Sequence, residues 1–108
     1  IQQSTQNELI LINNQSLEIQ AIFDSLSNKT IQTNDGEKMG ISLSELLNST
    51  QLSCPSCHSY TIKAKDGYQQ TVIWDDMQQG VLTMEKRVYF PHLAHAFWIR
   101  DVVEIEVK

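Results

Sequence analysis

No run of apolar residues in this chain approaches the roughly 18–20 that a membrane-spanning helix needs, so nothing in the chain as it stands spans a bilayer. Basic residues are few as well. With 8 Lys and Arg against 13 Asp and Glu, the formal net charge of −5 repels phosphates instead of releasing counterions from them, which argues against nucleic acid; surface partners should be neutral or basic. Internal repeats, linkers and low-complexity tracts are missing beyond a polar opening over residues 1–8. Catalytic constellations are missing too: there is no Ser-His-Asp context, no phosphate-cradling glycine loop and no pair of catalytic carboxylates. Asp75-Asp76 follows a strand directly and reads as the cap of a turn. Nothing here argues for an enzyme. What remains is an ordinary globular composition, 41% hydrophobic and 19% charged, in 108 residues that suit one domain able to fold without a staple.

The opening, IQQSTQNE, has no Met, no basic n-region and no apolar h-region, as expected of a chain whose signal segment or membrane anchor has been removed. Three acceptor sequons, at Asn14, Asn28 and Asn48, are compatible with an exported surface. Together with the cysteine usage they lead us to expect an extracytoplasmic protein, secreted, periplasmic or at the cell surface.

Patterning predicts a mainly β domain with two short helices. Leu9 to Asn13 is apolar and of strand length, and reads as an internal strand. In SLEIQAIFDSL, the residues Leu17, Ile19, Ile22, Phe23 and Leu26 fall near a 3.6-residue period and predict a short amphipathic helix. KTIQTNDGEK reads as a strand ending in a turn at Asp35-Gly36, where glycine supplies a positive φ. SLSELLNST has Ser42 and Glu45 at capping-box spacing, with Leu43, Leu46 and Leu47 as the buried stripe of a two-turn helix. YTIKAKDGYQQTVIW alternates, turns at Asp66-Gly67 and returns through Thr71 to Trp74 as a hairpin. GVLTM, RVYF and WIRDVVEIEV add further strands, the last with Val103, Ile105 and Val107 alternating with Glu104 and Glu106.

This succession resembles the molybdopterin-binding domain of the sulfite oxidase family over roughly residues 8–107, the compact core of its larger members. The matching positions are Gly40, Leu43, Leu46, Leu47, Asp66, Gly67, Tyr68, Leu82, Trp98 and Val102. The resemblance implies an α+β, mainly β fold. It does not carry the molybdenum chemistry, because the family's metal-binding Cys would fall in NKTIQTNDGEK, which has none, and only Lys29 and Lys38 lie nearby to hold a pterin phosphate. No molybdopterin is expected.

Both cysteines of the chain stand in SCPSCHSY. Cys54 and Cys57, with His58 directly behind, have the form of a c-type haem attachment site: two thiols one turn apart reach the vinyl groups on one porphyrin edge, and the next residue supplies an imidazole to the iron. On this reading the domain transfers electrons to a redox partner protein or a neighbouring subunit, with Cys54 and Cys57 in thioether bonds and His58 as axial ligand. His92 or His95 leads the possible second axial ligands, ahead of Met39, Met77 and Met84. Trp74, Phe90, Phe97 and Trp98 would form a dry wall against the haem, or simply pack a sheet. Three other readings stay open. A redox-active dithiol wants its first Cys at a helix N-terminus after a strand, whereas here a helix precedes and a strand follows. A metal site could combine the two cysteines with His92 and His95, although His-x-x-His is tight for one. A disulfide closing an exposed loop would leave a cofactor-free exported binding or assembly module.

Overall fold

The computed structural model describes residues 8–108, and the chain there is mainly β, with two sheets and three short α-helices. Of the polar opening read over residues 1–8, all but Glu8 lies outside the described residues. Glu8 belongs to the fold: its carbonyl accepts from the Ile19 N–H at 2.9 Å, and its carboxylate lies 3.3 Å from the Lys86 ammonium.

The larger sheet has the order β2-β1-β9-β5-β6, built from Leu9–Ile12 (β1), Gln15–Glu18 (β2), Ser59–Ala64 (β5), Gln69–Ile73 (β6) and Val102–Val107 (β9). All its pairings are antiparallel except β1 with β9. The smaller sheet is antiparallel, in the order β3-β4-β7-β8, from Asn28–Thr33 (β3), Gly36–Ser42 (β4), Val81–Leu82 (β7) and Val88–Tyr89 (β8). The expected turns stand where glycine permits them, with φ of 104° at Gly36 and 96° at Gly67. Asp66 braces the second by accepting from the Tyr68 N–H at 3.0 Å.

Three local expectations need correction. The helix expected from Leu17 begins only at Ile19 and runs to Ser25 (α1), because Asn13 and Asn14 both take positive φ, 51° and 63°, and close a two-residue hairpin that puts Gln15–Glu18 into a strand. Asparagine tolerates the left-handed region better than most residues, so two in succession make a hairpin turn. The second helix, Leu43–Asn48 (α2), starts where expected, but no capping box forms: Ser42 ends β4, and its hydroxyl lies 2.9 Å from that of Ser44. Trp74 does not end the returning strand of the hairpin; it opens a third helix, Trp74–Met77 (α3), where the Asp76 carboxylate accepts from the Ile73 N–H at 3.2 Å.

Between the sheets and helices lies one core in which Ile10, Ile12, Leu43, Leu46, Tyr60, Ile62, Phe90 and Ile105 are almost wholly buried. The strict alternation expected along β9 is broken by a bulge. Lys63 pairs with Glu104 but Ala64 pairs with Val102, so Val103 is the extra residue and Val102 rotates onto the core face. On the outer face Lys63 lies 2.8 Å from Glu106 and 3.7 Å from Glu104. The bond from Lys63 holds the Glu106 carboxyl below its usual range, and the bond to Glu106 raises the Lys63 ammonium above its own. Among the described residues no helix is long and apolar enough to cross a membrane.

Candidate functional site

The CPSCH stretch forms a tight loop between α2 and β5. Cys54 takes a left-handed conformation (φ 47°, ψ 67°), and Pro55–Cys57 makes one 3-10 turn, closed by a 2.9 Å bond from the Cys57 N–H to the Cys54 carbonyl. Proline suits the first position of such a turn because it has no N–H to leave unpaired. The turn brings the two Cα atoms to 5.4 Å, within disulfide span, and the sulfurs are bonded to each other. Both cysteines are exposed. Below them the buried Tyr60 donates its hydroxyl to the Pro55 carbonyl at 2.5 Å, and burial pushes that phenol's pKa up.

His58 is held by main-chain oxygens on both edges of its ring. Nδ1 lies 3.3 Å from the Lys108 carbonyl and Nε2 lies 3.1 Å from the Ser53 carbonyl. A carbonyl oxygen only accepts, so only a ring nitrogen that carries a hydrogen can donate to the carbonyl it faces. An axial ligand needs an unprotonated nitrogen with its lone pair facing open space, whereas both ring edges here face carbonyl oxygens. In this arrangement Cys54 and Cys57 are paired with each other, and the His58 ring lies between the Ser53 and Lys108 carbonyls.

The other expected ligands go to separate places. His92 Nε2 lies 2.7 Å from Asp76 Oδ1 on α3, whereas His95 Nε2 lies 3.2 Å from Asp35 Oδ2 in the β3–β4 turn. Three residues apart in sequence, the two histidines therefore serve different elements. Met77 is wholly buried in the core, while Met39 and Met84 are exposed. Among the described residues, no three of His, Cys, Asp and Glu converge as a metal ion would need. Trp74 packs on Tyr60 with centroids 5.7 Å apart, Phe90 is fully buried, and Trp98 meets Tyr89 edge-on at 5.2 Å. Phe97 is half-buried against the same core.

A second feature was not legible in the sequence. Residues 95–101 form a strap across the end of the molecule remote from the cysteine loop. Tyr68 donates its hydroxyl to the Ala96 carbonyl at 2.7 Å, the Trp98 indole N–H donates to the Phe90 carbonyl at 2.9 Å, and the Val88 N–H donates to Ile99 at 2.9 Å. Grooves of about 350 and 380 Å³ flank the strap and share His95, Trp98, Ile99 and Arg100. The first also takes in Asp35, Lys38, Arg87 and Tyr89; the second takes in Asp66, Tyr68 and Asp101. Lys38 Nζ sits 5.0 Å from the Tyr89 ring centroid, and an Arg87 N–H donates to the Tyr89 hydroxyl at 3.4 Å. That bond is the first cause of a raised Arg87 pKa. Three of the chain's eight basic residues thus meet at one groove, although they are far apart in sequence. Strand β5 runs from the cysteine loop to this end, and its six residues separate the two features by about 17 Å.

Gly40 has a packing reason. A methyl group there would run into the main chain of Leu82, so only glycine lets β4 lie this close to β7. No protein-family model and no curated protein matches the chain.

Proposed function

We propose that this chain is a cofactor-free, exported binding module with a sulfite-oxidase-like fold, closed by a Cys54-Cys57 disulfide at one end and presenting the strap grooves to a partner at the other. The observation that carries this reading is the pairing of the two sulfurs with both His58 ring nitrogens facing carbonyl oxygens. A disulfide of this kind persists in oxidising compartments, which agrees with export. The fold assignment draws support from residues of the resemblance: Gly40 packs on Leu82, and Tyr68 and Trp98 hold the strap. The molybdenum chemistry does not come with it. Where that family would supply a thiolate, residues 28–38 form a hairpin with no cysteine.

The test is the intact mass and visible spectrum of protein from its native source. A colourless protein, two hydrogens lighter than the dithiol, is expected. A Soret band with the added mass of one haem would replace this reading with the electron-transfer domain, its thioethers at Cys54 and Cys57 and its iron on His58.

A further inference from the structure

We infer that Asn14 and Asn28 carry N-linked glycans that cover the chain's apolar α1 groove and the two sheet edges beside it. The inference rests on the export part of the proposed function and goes beyond it. One sequon begins in the turn before an edge strand and the other lies on an edge strand. Asn14-Gln15-Ser16 leads into β2, the edge of the larger sheet, and Asn28-Lys29-Thr30 lies on β3, the edge of the smaller one. Asn14, Ser16, Asn28 and Thr30 are all exposed. On an extended strand residues i and i+2 share a face, so Asn28 and Thr30 lie on the same exposed face of β3.

The two sequons bracket most of the lining of one groove in sequence. Its volume is about 180 Å³, its exposed lining is mostly apolar, and Leu17, Ala21, Ile22 and Leu26 form its walls together with Glu18, Ser25 and Ser49. Leu17 follows the first sequon directly, and Leu26 stands two residues before the second. Exposed edge strands next to an apolar groove invite association with other chains, and a bulky hydrated sugar on each edge prevents it. Asn48 belongs to a third sequon at the same groove, but it differs. Its partner hydroxyl on Thr50 is buried and bonded to the Leu47 carbonyl at 2.6 Å, so the folded chain cannot present that acceptor. The exposed Asn34, in the turn beside the strap, is followed by Asp35-Gly36 and is not in a sequon, which leaves the proposed binding end bare.

The transfer balances with one co-reactant, a lipid-phosphate-linked oligosaccharide. The Asn amide nitrogen bonds to the anomeric carbon, the bond from that carbon to the phosphate oxygen breaks, and the amide proton passes to a base on the transferase.

The experiment is peptide mapping of protein from its native source, before and after an amidase that converts glycosylated Asn to Asp, with the disulfide scored in the same spectra. Glycan on Asn14 and Asn28, with lower occupancy at Asn48, is the expected result. Binding of an apolar fluorescent dye should rise after the amidase. Unmodified Asn14 and Asn28 peptides in molecules whose Cys54 and Cys57 are oxidised would overturn the inference while leaving the proposed function standing. Unchanged dye binding after complete removal would overturn the covering role. Ser16→Ala and Thr30→Ala, both at exposed positions, should each abolish the glycan on their own asparagine alone.

Discussion

Replacing both cysteines by serine tests the clip most directly. The disulfide spans a sequence separation of 3, so the loop it closes is close to the shortest possible. In the chain-entropy description, closing a loop of about four residues removes roughly 6 cal/mol/K from the unfolded ensemble, or about 2 kcal/mol at room temperature. Native contacts around the loop should survive the change. The Tyr60 hydroxyl still reaches the Pro55 carbonyl, and the Ser59 and Lys108 main chains still bond to each other at 2.9 and 3.3 Å. Cys54→Ser/Cys57→Ser should therefore fold, with a melting temperature lowered by roughly 8–10 °C and an unchanged denaturant slope. Calorimetry together with guanidinium unfolding would measure both. A variant that is unfolded without denaturant would refute the reasoning, because a clip outside the core cannot remove most of the stability of a domain. A variant as stable as the parent would refute it too, since the sulfurs would then not be joined in the authentic protein. Loss of a visible absorbance would show that haem had been there.

Tyr60→Phe removes a buried donor and leaves the Pro55 carbonyl only its 3.4 Å bond from the His58 N–H; we expect a loss of about 0.5–1.5 kcal/mol in denaturant unfolding, with a spectrum otherwise like the parent's. Gly40→Ala drives a methyl into the Leu82 main chain and should cost about 1–3 kcal/mol, whereas a neutral result would mean that β4 and β7 do not approach as described. The Lys63 pairings predict a pH signature. Because the folded Glu106 pKa lies below its ordinary value of 4.5, its contribution is complete above that value and is lost as pH falls through the lower folded one. Because the folded Lys63 pKa lies above 10.5, its contribution is complete below 10.5 and is lost as pH rises through the higher folded one. Lys63→Met should thus change the urea midpoint at neutral pH, by an amount that salt reduces and that shrinks at both extremes; a pH-independent difference would rule the pairing out. Arg87→Gln should leave stability nearly unchanged, since its partner Tyr89 keeps its place against Trp98; a large loss in thermal unfolding would mean that Arg87 holds the strap.

By itself the sequence determined the features that depend on near neighbours. Asp66-Gly67 had to be a turn because few residues accept that backbone, and Leu43, Leu46 and Leu47 had to share one buried helix face. The tight cysteine loop could be read as well, though not the state of its sulfurs. Local patterns also misled where two competed. Leu17 continues the helical period of α1, but Asn13-Asn14 makes a hairpin that claims it, and Ser42 with Glu45 has the spacing of a box whose hydroxyl goes to Ser44 instead. Only the tertiary structure decided which distant groups meet. His92 and His95 part company because Asp76 and Asp35 lie on different elements, while Lys38 on β4, Arg87 just before β8 and Arg100 on the strap converge because all three border one groove. The physical reason is that turn and helix preferences act over a few residues, whereas a groove's lining follows from sheet order, and sheet order is set by how one core is buried.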